Sequence, residues 1–188
     1  MDKQTEEILQ KIEEAEYVLV GLGQEFDMEF FLQSREDYRR IREQLQQQNV
    51  LWLLPYVEEQ FRRQYLPEME AEIEKGLQKL AKVLEKKSYF VVSSSLNHKL
   101  AEVPWKKMLL KKELFVAPCG DWTKKQCPDG CEEGIQTVTE ADEEQLQESF
   151  KKLQTNGFSV PDLGKCPKCG KKLVLNNVYA GRYDENGY

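Results

Sequence analysis

Four cysteines in two close pairs carry the clearest chemistry in this chain. They are Cys127-Pro128-Asp129-Gly130-Cys131 and Cys166-Pro167-Lys168-Cys169-Gly170. Zinc takes four thiolates at the corners of a tetrahedron, with Zn–S near ~2.3 Å. A C-x2-C turn closed by glycine points both sulfurs at one centre, and the C-x3-C pair is looser but reaches it too. Four ligands leave no open coordination position, so the zinc expected at Cys127, Cys131, Cys166 and Cys169 is structural. Two disulfides or plain buried thiols are the alternatives. A reducing compartment disfavours the first. Lys165, Lys168, Lys171 and Lys172 around the second pair disfavour the second. The fifth cysteine, Cys119, stands apart at the end of an apolar run. It reads as a small buried thiol or as a pocket residue at a strand's C-terminal end. His98 is the single histidine. It reads as a loop residue with a satisfied hydrogen bond or as a wall of the same pocket. Any mechanism that needs two histidines is excluded.

These residues need elements to place them. Ile8, Leu9, Ile12 and Ala15 recur at helical spacing and predict an amphipathic helix over 4–16. It runs into Tyr17-Val18-Leu19-Val20, a predicted strand closed by Gly21-Leu22-Gly23. A strand ending in glycines is the first half of a nucleotide-binding turn, or simply a tight turn. From Phe26 to Glu85 the chain reads as helix. Tyr38, Ile41 and Leu45 share one face. Met69, Ile73, Leu77, Leu80 and Leu84 share another, after the break at Pro67. Tyr56, Gln60 and Tyr65 mark a short helix between them. The aromatics Phe30, Phe31, Trp52, Tyr56 and Phe61 are expected in the core.

Ser88-Tyr89-Phe90-Val91-Val92-Ser93 is apolar on both faces, as a central parallel strand should be. The polar run Ser93 to His98 follows at its C-terminal end, where ligands sit in open α/β sheets. Leu114-Phe115-Val116-Ala117 predicts a third strand, and Lys172 to Ala180 a fourth, with Leu173-Val174-Leu175 leading to Val178-Tyr179. Ala141 to Leu153 predicts a charged helix with Leu146, Phe150 and Leu153 inward. The fold class is therefore α/β: a Rossmann-like parallel sheet with a helical insert and a small four-Cys zinc module. Val18, Val20, Val91, Phe115 and Val174 are expected to be buried in that sheet. The divisions are a lobe over 1–125 and 173–188, an insert over about 27–86, and a zinc lobe over 126–172.

Composition limits the partners. The chain has 188 residues, 27 basic and 33 acidic, for a net charge of −6. An acidic chain gives no reason to expect nucleic acid. No apolar run approaches the ~20 residues of a membrane span. The acidic start, MDKQTEEILQ, lacks the pattern of a signal peptide. A soluble, cytoplasmic protein is expected, with a protein as the candidate partner.

The order of these parts resembles the sirtuins, the NAD-dependent protein deacylases. The matching segments are Val18 to Gly23, Tyr89 to Asn97, Cys119-Gly120 with Cys127 and Cys131, and Cys166 to Leu173 running on to Asn177-Val178-Tyr179-Ala180-Gly181. The resemblance implies NAD or ADP-ribose near Gly21, Gly23, Ser95 and Asn97. Several positions depart from the family pattern. Leu22 stands where the family has a small residue between the glycines, and Glu25 adds a negative charge beside the phosphate cradle. Ser95 and Asn97 fall on the family's Asn and Asp, and Cys119 falls on its catalytic His. A thiol of pKa ~8.5 is a poor general base at neutral pH. A sirtuin-like binding module with a degenerate NAD pocket is therefore expected. An active NAD-dependent deacylase or ADP-ribosyltransferase is the alternative, and a zinc ribbon on a helical bundle is a third reading. The family's later strands lack counterparts here, so an uncovered sheet edge is expected, closed by a helix or by a second subunit in a homo-oligomer.

Overall fold

A computed structural model describes residues 3–27, 29–102, 115–131 and 135–180. The chain is a mixed α/β protein with two small sheets. Helix α1 (Lys3–Glu14) leads into strand β1 (Tyr17–Leu22). A 3-10 turn (Gln24–Phe26) and helices α2 (Glu29–Leu32), α3 (Glu36–Gln47), α4 (Leu54–Tyr65) and α5 (Pro67–Leu84) follow. Then come β2 (Ser88–Ser93), α6 (Lys99–Glu102), β3 (Phe115–Val116), β4 (Gly120–Gln126), β5 (Gln136–Thr137), α7 (Glu140–Gln154) and β6 (Val174–Asn177). Leu114, Gly181 and the side chain of Phe30 lie outside the described residues.

The first sheet is parallel, in the order β1-β2-β3. Val18 pairs with Tyr89, Val20 with Val91, and Val91 with Phe115. Parallel pairing needs a long crossover, and α2 to α5 supply it between β1 and β2. This pairing rules out the helical bundle with a zinc ribbon. One face of the sheet packs on α5 and α6, where Leu22, Leu77, Ala81, Leu84, Val91 and Leu100 form a core. Val91 is fully buried, whereas Val18, Val20 and Phe115 are half-buried. The opposite face carries Tyr17 and Leu19, both exposed. Helix α1 forms with the expected apolar stripe but buries none of its residues.

The second sheet is antiparallel, in the order β5-β4-β6. The strand expected over 172–180 forms over the shorter Val174–Asn177, against β4, and not in the parallel sheet. The physical reason lies at Gly120, which begins β4 with φ +68°. A Cβ at this residue would collide with the Asn176 carbonyl oxygen and lie 3.0 Å from the Asn177 Cα. Only glycine lets β4 turn out of the first sheet and meet β6 this closely. Lys125 pairs with Leu175 and Gln126 with Val174, with an irregular register between Gly120 and Lys125.

The larger core joins the helical insert to this second sheet. Tyr38, Ile41, Leu45, Trp52, Tyr56 and Phe61 pack with Trp122, Leu146, Phe150, Leu153 and Leu175. The periodic residues of α3 and α7 are thus inward as their spacing predicts. Of the aromatics expected in the core whose side chains are described, Phe31 is the exception, at 44% exposed. Among the described residues, no helix is long and apolar enough to cross a membrane.

Candidate functional site

The four paired cysteines converge. All four Sγ atoms lie within 4.8 Å of one another, and the cluster can hold a metal ion. Each pair is shaped by its own turn. Gly130 donates its N–H to the Cys127 carbonyl at 2.9 Å, and Gly170 donates to the Cys166 carbonyl at 2.8 Å. Both glycines have positive φ, which side chains rarely adopt. Lys171 spans the two turns with an ion pair to Asp129 at 2.7 Å. All five cysteines are free of disulfides, so the two-disulfide arrangement does not occur. Cys127 and Cys166 are buried, Cys131 half-buried and Cys169 exposed. The Sγ atoms of Cys127 and Cys169 are 3.4 Å apart. A tetrahedral Zn–S₄ centre with ~2.3 Å bonds has sulfurs about 3.8 Å apart, a spacing inside the 4.8 Å within which all four sulfurs lie.

The thiols influence one another without a metal. Burial pushes the Cys127 thiol up, but the N–H groups of Asp129 and Cys131 and the neighbouring thiols outweigh it and bring it down to about 7. The Cys127 bond pushes Cys131 up to about 12. One thiolate thus discourages the next, a conflict that a cation relieves. The knuckle is also anchored from behind. Lys125, two residues before Cys127, donates to both Asp142 oxygens at 2.8 and 2.7 Å and to the Leu163 carbonyl at 2.9 Å. Asp142 also closes a capping box with Thr139 at the start of α7.

The second group of residues lies where the parallel strands end. The Glu25 carboxylate accepts the Gly23 N–H at 3.1 Å, so the chain's own anion sits on the glycine-turn amide. Gly21 is open, with nothing near a Cβ position. Asp27 accepts from the Ser95 hydroxyl and from the Leu96 N–H at 2.7 Å. Burial raises its pKa, and the Ser95 and Leu96 bonds oppose the rise. Asn97 donates its backbone N–H to Ser95 Oγ at 3.1 Å and its side-chain amide N–H to the Phe26 carbonyl at 3.4 Å. Ser95 and Asn97 therefore hold the loop together. Cys119 is half-buried, and burial, then the Asp27 charge, push its thiol up. It stays protonated at neutral pH and cannot act as a base there.

Helix α4 closes this region with buried ionisable groups that nothing in the local sequence pattern marks. Glu59 holds Arg62 and Arg63, the latter at 2.5 Å. Glu58 accepts the Tyr38 hydroxyl at 2.6 Å. His98 is buried, and its Nδ1 accepts the Trp122 indole N–H at 3.0 Å. That nitrogen therefore carries no proton, and Glu59 Oε2 at 3.7 Å is a neighbour of His98 without forming a salt bridge. Of the two readings, His98 is thus the loop residue with a satisfied hydrogen bond.

No protein-family model and no curated protein matches this chain.

The geometry therefore brings together two sets of predicted residues. Cys127, Cys131, Cys166 and Cys169 meet at one point. Ser95 and Asn97 share one hydrogen-bonded loop with Asp27, whose charge reaches Cys119, while Gly23 is bonded to Glu25. Asp27 was legible only as an acidic residue just past the glycine turn. Glu58 and Glu59 look like ordinary surface charges on a helix, and nothing local marks them as buried.

Proposed function

We propose that this chain is a sirtuin-like, zinc-containing module with a Rossmann-like sheet and a degenerate NAD pocket, acting by binding a protein partner rather than by catalysis. The observation that carries this reading is the Glu25 carboxylate on the Gly23 amide, because a phosphate approaching that turn meets a charge of its own sign. Cys119 supports it. A sirtuin-type reaction needs a general base at the ribose, and loss of such a base costs a factor of ~10² to 10⁴. Zinc is the proposed metal because four thiolates in a closed tetrahedral set suit it, and such a closed set makes it structural. Free, paired thiols suit a reducing compartment, which supports a cytoplasmic location.

The test uses the full metal-loaded chain. NAD and ADP-ribose are titrated by calorimetry, and nicotinamide release from NAD is followed with an acylated peptide. The expected result is no release above the enzyme-free background, in the native chain and in Cys119→His alike. Release by the native chain that disappears in Cys119→Ala would overturn the proposal and promote an NAD-dependent deacylase or ADP-ribosyltransferase.

A further inference from the structure

The exposed face and open edge of β1 are used by neither the metal centre nor the strand-end cluster. Tyr17 and Leu19 are each 73% exposed, although both sit in a strand whose sequence, Tyr-Val-Leu-Val-Gly-Leu, contains no charge and no proline. Among the described residues β1 pairs with β2 alone, which leaves its other edge open. Proteins usually guard such an edge with charges, bulges or a covering segment. The edge at the other side of this sheet, β3, is only two residues long.

We infer that β1 pairs with β1 of a second copy of this chain, antiparallel about a two-fold axis centred on Leu19. Antiparallel partners must share hydrogen-bonding parity, so a two-fold axis must fall on a residue and not between residues. Centring it on Leu19 sets Leu19 against Leu19 of the second copy, Val18 against Val20, and Tyr17 against Gly21. The large exposed ring then lies across from the residue with open space where a Cβ would be. An aromatic set opposite an edge glycine is a stabilising pair. Every cross-strand pair is apolar, and no like charges meet. The strand is its own complement, and this favours a second copy over an unrelated peptide. A paired edge of five residues with its side chains buries roughly 600 Å² in total, below the ~1,000 Å² of a stable interface. The dimer is therefore weak, populated at tens to hundreds of micromolar protein.

Sedimentation equilibrium of the full chain tests this. The native protein is expected to approach twice its 22.0 kDa mass as its concentration rises to about 500 µM. Leu19→Lys and Tyr17→Glu are each expected to remain at the single-chain mass, with helix content unchanged. A native chain that stays monomeric throughout, or a Leu19→Lys chain that still dimerises, overturns the inference. The register has its own test. Leu19→Cys, oxidised with metal bound, is expected to form a disulfide between the two introduced thiols. Tyr17→Cys is not, because its mates lie about 14 Å apart in this register. Linkage of both variants or of neither overturns the two-fold at Leu19.

Discussion

Replacing Glu58 by glutamine should make the protein more stable as the pH rises, and the structure sets the size of the effect. Glu58 lies on α4, 5% exposed, with Oε1 accepting the Tyr38 hydroxyl. Burial raises its pKa from 4.5 to about 8. The Tyr38 bond works against that rise, and the charges of Asp27 and Glu29 add to it. Below pH 4.5 the carboxyl is protonated in folded and unfolded chains alike, so it carries no penalty. As the pH climbs from 4.5 towards 8, the unfolded chain releases the proton and the folded chain keeps it. Stability then falls by about 1.4 kcal/mol per unit, or about 5 kcal/mol over the window. Glutamine keeps an oxygen for Tyr38 and has no proton to lose. Between pH 5.5 and 8 the advantage of Glu58→Gln over the native chain should therefore grow by about 3 kcal/mol. Any constant cost of the amide cancels from that difference. Urea unfolding followed by tryptophan fluorescence at each pH measures it, with an unchanged m-value as the control for two-state behaviour. Parallel stability–pH curves for the two proteins would refute a proton held on Glu58.

The other expectations concern the metal centre and the turn into β4. Protein purified under reducing conditions should carry about one zinc per chain, and Cys166→Ser should lose most of it and melt well below the native protein, since metal-binding energy is folding energy. Equal zinc content and equal melting temperature in the variant would remove Cys166 from the ligand set. Gly120→Ala should cost at least ~2 kcal/mol, from its positive φ and from the collision with the Asn176 carbonyl. A change under ~0.5 kcal/mol in urea unfolding would show that β4 and β6 can separate there without loss.

Local pattern alone determined a good deal of this protein. The metal cluster was legible because ligand spacing is a local property. A turn with a glycine after the first or second cysteine aims its own sulfurs, and two such turns need only meet. The helices α3 and α7 were legible for a similar reason: Tyr38, Ile41 and Leu45, and Leu146, Phe150 and Leu153, repeat with the helical period. The parallel pairing of β1, β2 and β3 followed from apolar strands separated by helix. Tertiary structure decided the rest. Whether Val174 joins the parallel sheet or pairs with β4 depends on the left-handed Gly120 and on what lies beside it, which no periodicity records. Burial of Glu58, Glu59 and Arg62 depends on α4 packing beneath the strand ends, and charged residues on an isolated helix read as its solvated face. Exposure of Tyr17 and Leu19 likewise follows from the absence of a covering layer among the described residues. In a strand that is apolar at nearly every position, sequence cannot tell a buried side from one left open, because both sides are written in the same residues.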